Sequence, residues 1–285
     1  MASATPASLR AETEHTSNRI GLRRAARSVD PLGLVGLVLL VALWWLLTLV
    51  VSRTQLPLPQ DVFARVRDDF GSAPELAFYG VGQNGLLDSM FYTVENVLTA
   101  VAVGATIGTL AGLAAARFRL VREIGDPVVL TAGTIPILVA APFFLIWFGV
   151  ERISALLLVI LYVSTILYIF AQRAADNLDP VYEDAARTLG AAPRQTIRDV
   201  LMRATLPEIL AGVRIALAGA WGLEAIAELL GLPNGIGKTI QVLSQQTDAE
   251  GIMAALVFLG LVAVLFDALT AAVFRWLTRW STTWS

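Results

Sequence analysis

Long apolar runs separated by short polar passages make up most of this chain. Six runs reach the roughly 20 residues that a helix rising about 1.5 Å per residue needs to cross about 30 Å of hydrocarbon. They span residues 33–52, 92–116, 127–148, 153–172, 206–231 and 252–276. The first, "GLVGLVLLVALWWLLTLVV", is apolar on all sides, as a lipid-facing helix is. The second and fifth contain "VAVGATIGTLAGLAAA" and "ILAGVRIALAGAWG". Small residues let backbones approach where lipid offers no hydrophobic drive for association, so these two belong inside a packed bundle. Between the first two runs, residues 53–91 predict an amphipathic helix near 60–70 bounded by Pro- and Gly-rich turns. Residues 231–251 open on Pro233-Asn234-Gly235 and continue with apolar positions at helical spacing, which fits a re-entrant or surface helix.

Composition agrees with the pattern. Hydrophobic residues make up 56% of the 285 and charged ones only 15%, at a mean hydropathy of +0.68. Soluble domains carry about 25% charged residues, so the chain is an all-α membrane protein. A net charge of -2 gives no basic surplus for nucleic acid. Cysteine is absent and His15 is the single histidine, which excludes thiolate chemistry and makes a metal centre of ordinary ligands unexpected. Residues 1–30 are polar and Arg-bearing, unlike a cleaved signal peptide, and read as a cytoplasmic tail ahead of a permease domain at 31–285.

Arginine sets the orientation. The tail carries Arg10, Arg19, Arg23, Arg24 and Arg27, and Arg117, Arg119 and Arg122 follow the second run. Arg173, Arg187, Arg194, Arg198 and Arg203 follow the fourth. Both termini and the passage between runs four and five are therefore expected inside the cell.

That passage, "YEDAARTLGAAPRQTIRDVLMRATLPEIL", is the one long polar stretch in the second half. Asp176, Asp179 and Pro180 give helix-start signals, and Glu183 and Asp184 suit the positive end of a helix dipole. Gly190 can end the helix, another starts after Pro193, and Pro207 falls at the first turn of the fifth span. Two short cytoplasmic helices result, over about 176–205. Ala185 and Ala186 leave a flat surface, with Leu189, Ile197 and Val200 as apolar contacts for a partner. A solvated connector tucked against the bundle accounts equally well for these features.

The stretch resembles the cytoplasmic "EAA" loop of binding-protein-dependent ABC importer permeases, in which Glu-Ala-Ala is followed by three residues, a glycine and later Leu-Pro. Asp184, Ala185, Ala186 and Gly190 fall on that pattern, and Leu206-Pro207 on the later pair. The likeness continues through "LPLPQDVFARV", "DPVVLTAGTIPILVAAPFFLIWFGV" and "IAELLGLPNGIGKTI", over roughly 56–280, and is similar to the nitrate, sulfonate, taurine and bicarbonate type. It implies a type I importer permease fold of six transmembrane helices with short cytoplasmic coupling helices, in a bacterial plasma (inner) membrane. It further implies ATPase coupling through Glu183, Asp184, Ala185, Ala186, Leu189, Gly190 and Pro207, and a translocation path touching Pro136, Pro142, Glu224 and Glu228. The implied partners are two ATP-binding subunits, a second permease copy or a sister permease, an extracytoplasmic substrate-binding protein and membrane lipid. ATP would be bound by the partners, with no cofactor in this chain. Three departures stand out: Asp184 where the family has Glu, Met202-Arg203 where an earlier Leu-Pro is usual, and Ile137 where a second proline usually stands directly after Ile135-Pro136.

Ionisable residues inside spans are costly and face a bundle interior, water or one another. Glu95, Arg214, Glu224, Glu228 and Asp267 are such residues. Glu224 and Glu228 lie four apart on one helix face and are read either as path lining or as partners of Arg214 or Lys238. The chain itself shows no ATPase pattern: Gly237-Lys238-Thr239 imitates the end of a P-loop, but Leu232 stands where the first glycine belongs. A secondary transporter or channel is the rival reading, and it has no use for a docking loop.

Overall fold

The computed structural model describes residues 31–82 and 84–279. The reading of residues 1–30 as a cytoplasmic tail lies outside the described residues. The chain divides into two compact units, one ending at Pro59 and one beginning at Gln60.

The first unit contributes α1 (Pro31–Leu47), apolar throughout. Trp44 Nε1 donates to the Pro57 carbonyl at 3.1 Å, folding the following turn back on the helix end. Its 17 residues fall short of the span expected at 33–52.

The second unit is helical: α2 (Pro59–Asp68), α3 (Pro74–Phe78), α4 (Leu86–Arg117), α5 (Arg119–Thr134), α6 (Ile137–Phe148) and α7 (Arg152–Asp176). Then come α8 (Pro180–Thr188), α9 (Pro193–Gln195), a π-helical turn Thr196–Leu201, α10 (Met202–Leu229), α11 (Ile236–Gln245) and α12 (Ala249–Leu277).

Four helical segments among the described residues are long and apolar enough to cross a membrane: Leu86–Arg117, Arg152–Asp176, Thr196–Leu229 and Ala249–Leu277. The run at 127–148 is not one straight helix. It is divided between α5 and α6, which meet at 101°, and counting that pair as one span gives five. Pro136 causes the break, because a residue before proline is pushed out of the α region and Ile135 is extended at φ −77°, ψ 123°.

The centre of the bundle is the α4–α7 seam, the most extensive helix pair. Gly104, Gly108 and Gly112 recur every four residues and form a backbone ridge on α4. A Cβ built on Gly104 would stand 2.8 Å from Val163 Cβ, and one on Gly108 2.8 Å from Ser164 Cα. The Gly/Ala run thus does what its composition predicts, letting two backbones touch. Ser164 Oγ crosses the seam to the Gly104 carbonyl at 3.2 Å. α10 closes the other side of α7, with Gly212 beneath the Phe170 ring. Val97, Ala100, Val163, Leu167, Ala216 and Trp221 fill the space between. α12 packs on α10 through Trp221 and Phe266, with ring centroids 5.5 Å apart. The Arg214–Asp267 pair joins the same two helices at 2.5 Å.

The fifth span also departs from its predicted start. Instead of a separate short helix ending before Pro207, α9, the π turn and α10 run on, and Pro207 sits inside α10. Proline removes one donor from the ladder. The carbonyl left without its helical donor is that of Arg203. A π turn precedes this point, and Thr205 Oγ1 adds a bond to the Leu201 carbonyl at 2.9 Å.

Candidate functional site

The polar passage folds at one end of the bundle, where the ends of α4, α5 and α7 meet. Arg122 of α5 holds Asp176 of α7 at 2.6 and 2.7 Å. Asp179 then caps α8, accepting from Val181 N at 2.9 Å, with Pro180 in the first helical position. Gly190 ends α8 at φ +82°, a conformation that costs a side-chain-bearing residue about 1–2 kcal/mol. Ala191 N bonds back to the Ala186 carbonyl at 3.0 Å, and Gly190 N to that of Arg187 at 2.9 Å. These two bonds make the Schellman stop that the glycine foretold. The next segment begins with a reciprocal cap, Ala192 N donating to Gln195 Oε1 at 2.8 Å.

Glu183 and Asp184, adjacent in sequence, point differently. Glu183 faces the bundle, its side chain 17% exposed, and forms a forked pair with Arg117 at the end of α4. One branch of the fork measures 3.1 Å, from Arg117 Nη1 to Glu183 Oε2. The Arg117 guanidinium holds the Glu183 carboxyl below its ordinary range, against a smaller opposing effect of burial. Asp184 is turned to solvent, its side chain 71% exposed, with Arg187 3.6 Å away. The residue on the family's glutamate position is thus the outward one, and its neighbour anchors the helix.

The outward face of α8 carries no covering element among the described residues. Leu189 is 88% exposed, and Val181, Tyr182 and Ile197 are exposed with it. Ala185 is exposed and Ala186 partly buried. Beside them opens a groove of about 760 Å³ lined by Tyr182, Asp199, Val200, Arg203 and Ala204. Pro207 lies half-buried one turn into α10.

The intramembrane candidates divide. Pro136 and Pro142 are exposed on the bent α5–α6 pair. Glu224 and Glu228 are both 0% exposed, on the α10 face that packs against α4. Asn96 Nδ2 donates to Glu224 Oε1 at 2.7 Å. Thr93 Oγ1 reaches both oxygens of Glu228, at 2.8 and 3.0 Å, and Gly237 N donates to Glu228 Oε2 at 2.8 Å. The partners weighed from sequence are engaged elsewhere: Arg214 with Asp267, and Lys238 with Gln241 at 2.7 Å. Thr93 and Asn96, and Arg117 as an anchor, had escaped the sequence reading. The stripe of Ser89, Thr93 and Asn96 along one face of α4 was the available signal.

Long apolar helices packed together, one bent helix pair and a capped, uncovered helix at the end of a span are the features of a multi-pass membrane protein. The chain belongs to the family of binding-protein-dependent transport system inner membrane components, whose family model matches residues 104–282, and is a permease subunit of an ATP-binding-cassette importer. It is 29% identical over 250 residues to the putative aliphatic sulfonates transport permease protein SsuC of Bacillus subtilis, covering 87% of each chain. It is 26% identical over 251 residues to the taurine transport system permease protein TauC of Escherichia coli, covering 86% of this chain and 87% of that one. In fold it is similar to a chain of a bacterial alginate ABC transporter crystallised with an alginate-bound periplasmic protein. That likeness has a TM-score of 0.60 at 17% identity and covers 86% of this chain and 94% of the other.

Proposed function

We propose that this subunit carries a small anionic or zwitterionic solute of the nitrate, sulfonate or taurine kind inward across the plasma membrane, and that α8 with the following π turn receives the ATP-binding subunit. The observation that carries the coupling reading is the pairing of a fixed base with a free face. Glu183 and Arg117 fasten α8 to a membrane helix, while Leu189 stands 88% exposed on the opposite side. Burying it fully contributes about 1.5–3 kcal/mol.

In the assembly, two permeases would pair, as two copies or with a sister chain, above two ATP-binding subunits and below an extracytoplasmic binding protein. ATP hydrolysis falls to the partners, and this chain supplies the path and the coupling surface. Asp184, Ala185, Ala186, Leu189 and Gly190 present that surface, Glu183 anchors it, and Pro207 lies where it joins α10. The meeting of the Arg117, Arg122 and Arg187 segments at this end supports placing it in the cytoplasm, with both termini. The names of the sulfonate and taurine relatives support the substrate class, and the rival reading of an uncoupled carrier leaves the α8 face without a purpose.

The test compares Leu189→Glu with wild type in the reconstituted assembly. Leu189 makes few contacts within the chain, so its stability stays within about 0.5 kcal/mol of wild type. Subunit association weakens by at least about tenfold, and ATP-driven uptake falls with it. Normal association and uptake in Leu189→Glu would remove α8 from the docking surface.

A further inference from the structure

The buried carboxylate of Glu228 does more than join two membrane helices. α11 begins at Ile236 after Gly235, which has φ +103° and no side chain with which to cap the helix. The first N–H groups of a helix have no partner within it. Here two of them are served by other elements. Gly237 N donates to Glu228 Oε2 of α10 at 2.8 Å, and Ile236 N to Thr93 Oγ1 of α4 at 3.0 Å. The Thr93 hydroxyl in turn donates toward Glu228, so one carboxylate, one hydroxyl and two amides close a single knot. A further link ties Thr239 Oγ1 to Ser89 Oγ at 2.9 Å.

The approach is close enough to dictate the sequence around it. A Cβ on Gly235 would collide with the Glu228 carboxyl, and one on Gly237 would stand 2.8 Å from Glu228 Cβ. α10 carries this knot at one end and the π turn at the other, as one helical segment from Thr196 to Leu229. At about 1.5 Å per residue, Glu228 lies roughly 45–50 Å from the start of that segment. Beside the knot opens a cavity of about 240 Å³, lined in part by Asp88, Tyr92, Asn234 and Gly235.

We propose that Glu228 is a positioning residue for transport: it makes α11 follow α10, so that a displacement entering at the α8 end is delivered to the cavity beside Asn234. The proposal rests on the coupling reading above. It assigns Glu228 a task distinct from contact with solute, because its carboxylate accepts from Thr93 and Gly237 and is closed from solvent.

The chain has no cysteine, so Asn234→Cys introduces a single reporter beside the knot. Its modification rate by a membrane-impermeant maleimide is measured in the assembled transporter, nucleotide-free and ATP-trapped. With Glu228 present the two rates differ. In Glu228→Ala and in Thr93→Val the difference is lost while ATP hydrolysis continues. In Glu228→Gln, whose amide oxygen still accepts from Gly237, it is partly kept. A merely structural Glu228 would lower the melting temperature of Glu228→Ala and leave the nucleotide dependence intact, and that result overturns the proposal. So does the absence of nucleotide dependence in a parent whose ATPase still responds to the binding protein, which would leave the coupling reading standing. Loss of both responses in the parent removes the two together. Should Glu228→Ala fail to assemble, Thr93→Val and Glu228→Gln decide the matter.

Discussion

Removing Arg117 should release α8 from the bundle without unfolding it. Arg117 and Glu183 form a forked, charge-assisted pair whose side chains are 31% and 17% exposed. Fully exposed pairs contribute about 0.2–1 kcal/mol, whereas breaking a buried one costs about 3–5 kcal/mol. The partial burial and the fork place this pair between them, at about 1.5 kcal/mol after discounting for solvent. That corresponds to about a tenfold rise in the fraction of time α8 is untethered. Hydrogen exchange of the α8 amides, read by mass spectrometry on Arg117→Ala, Glu183→Ala and the double variant, measures it directly. Each single variant should exchange about tenfold faster over residues 180–188, and the double variant no faster than either. An interaction energy within the additivity error of about 0.3–0.5 kcal/mol would refute the anchoring role. So would unchanged exchange in both single variants.

Two further outcomes follow from the same geometry. The Arg117 hydrogen bond lowers the Glu183 carboxyl below its ordinary 4.5, so the tether is fully present above that value and is lost as pH falls through the depressed one. Exchange of α8, corrected for its intrinsic pH dependence, should therefore stay level down to about pH 4.5 and rise only below it, with no such step in Glu183→Gln; a loosening midpoint above 4.5 would contradict this. Gly108→Val forces atoms into the α7 backbone, which lies 2.8 Å from a bare Cβ at Ser164 Cα, and should lower stability by about 1–3 kcal/mol in a thermal melt. Gly260, inside α12 with nothing within 4 Å of its Cβ, serves as the control: its alanine variant should melt no lower than wild type.

What the chain disclosed in advance was what depends on local rules. Gly190 announced a helix stop because its neighbours are a completed helical turn and a following Ala-Ala-Pro, and it carries a Schellman pair. The Gly/Ala run of α4 announced a close seam because spacing by four puts Gly104, Gly108 and Gly112 on one face. Hydropathy has no direction, however, so the run at 127–148 looked like a single span although Pro136 turns it by 101°. Pro207 looked like a helix start because proline favours first turns, but the π turn is followed directly by a helix that runs on through Pro207. The partners of Glu224 and Glu228 were sought among charges nearby in sequence. They proved to be neutral Asn96 and Thr93, 128 and 135 residues earlier, which no periodicity connects. Asp184 sits on the motif, but the anchoring belongs to Glu183, because a one-residue step turns a side chain by about 100° around a helix.

The central claim is that the uncovered face of α8 is where the ATP-binding subunit grips this permease. Cysteines placed one at a time at Ala185, Leu189 and Ile197, with Phe78 as a control on the far side of the unit, can be cross-linked to single cysteines in the groove of the cognate ATP-binding subunit, with and without trapped ATP. The account predicts cross-links at Leu189 and Ala185 whose yield changes on trapping ATP, and none at Phe78. Cross-linking no better at Leu189 and Ala185 than at Phe78, in an assembly that still transports, would contradict it.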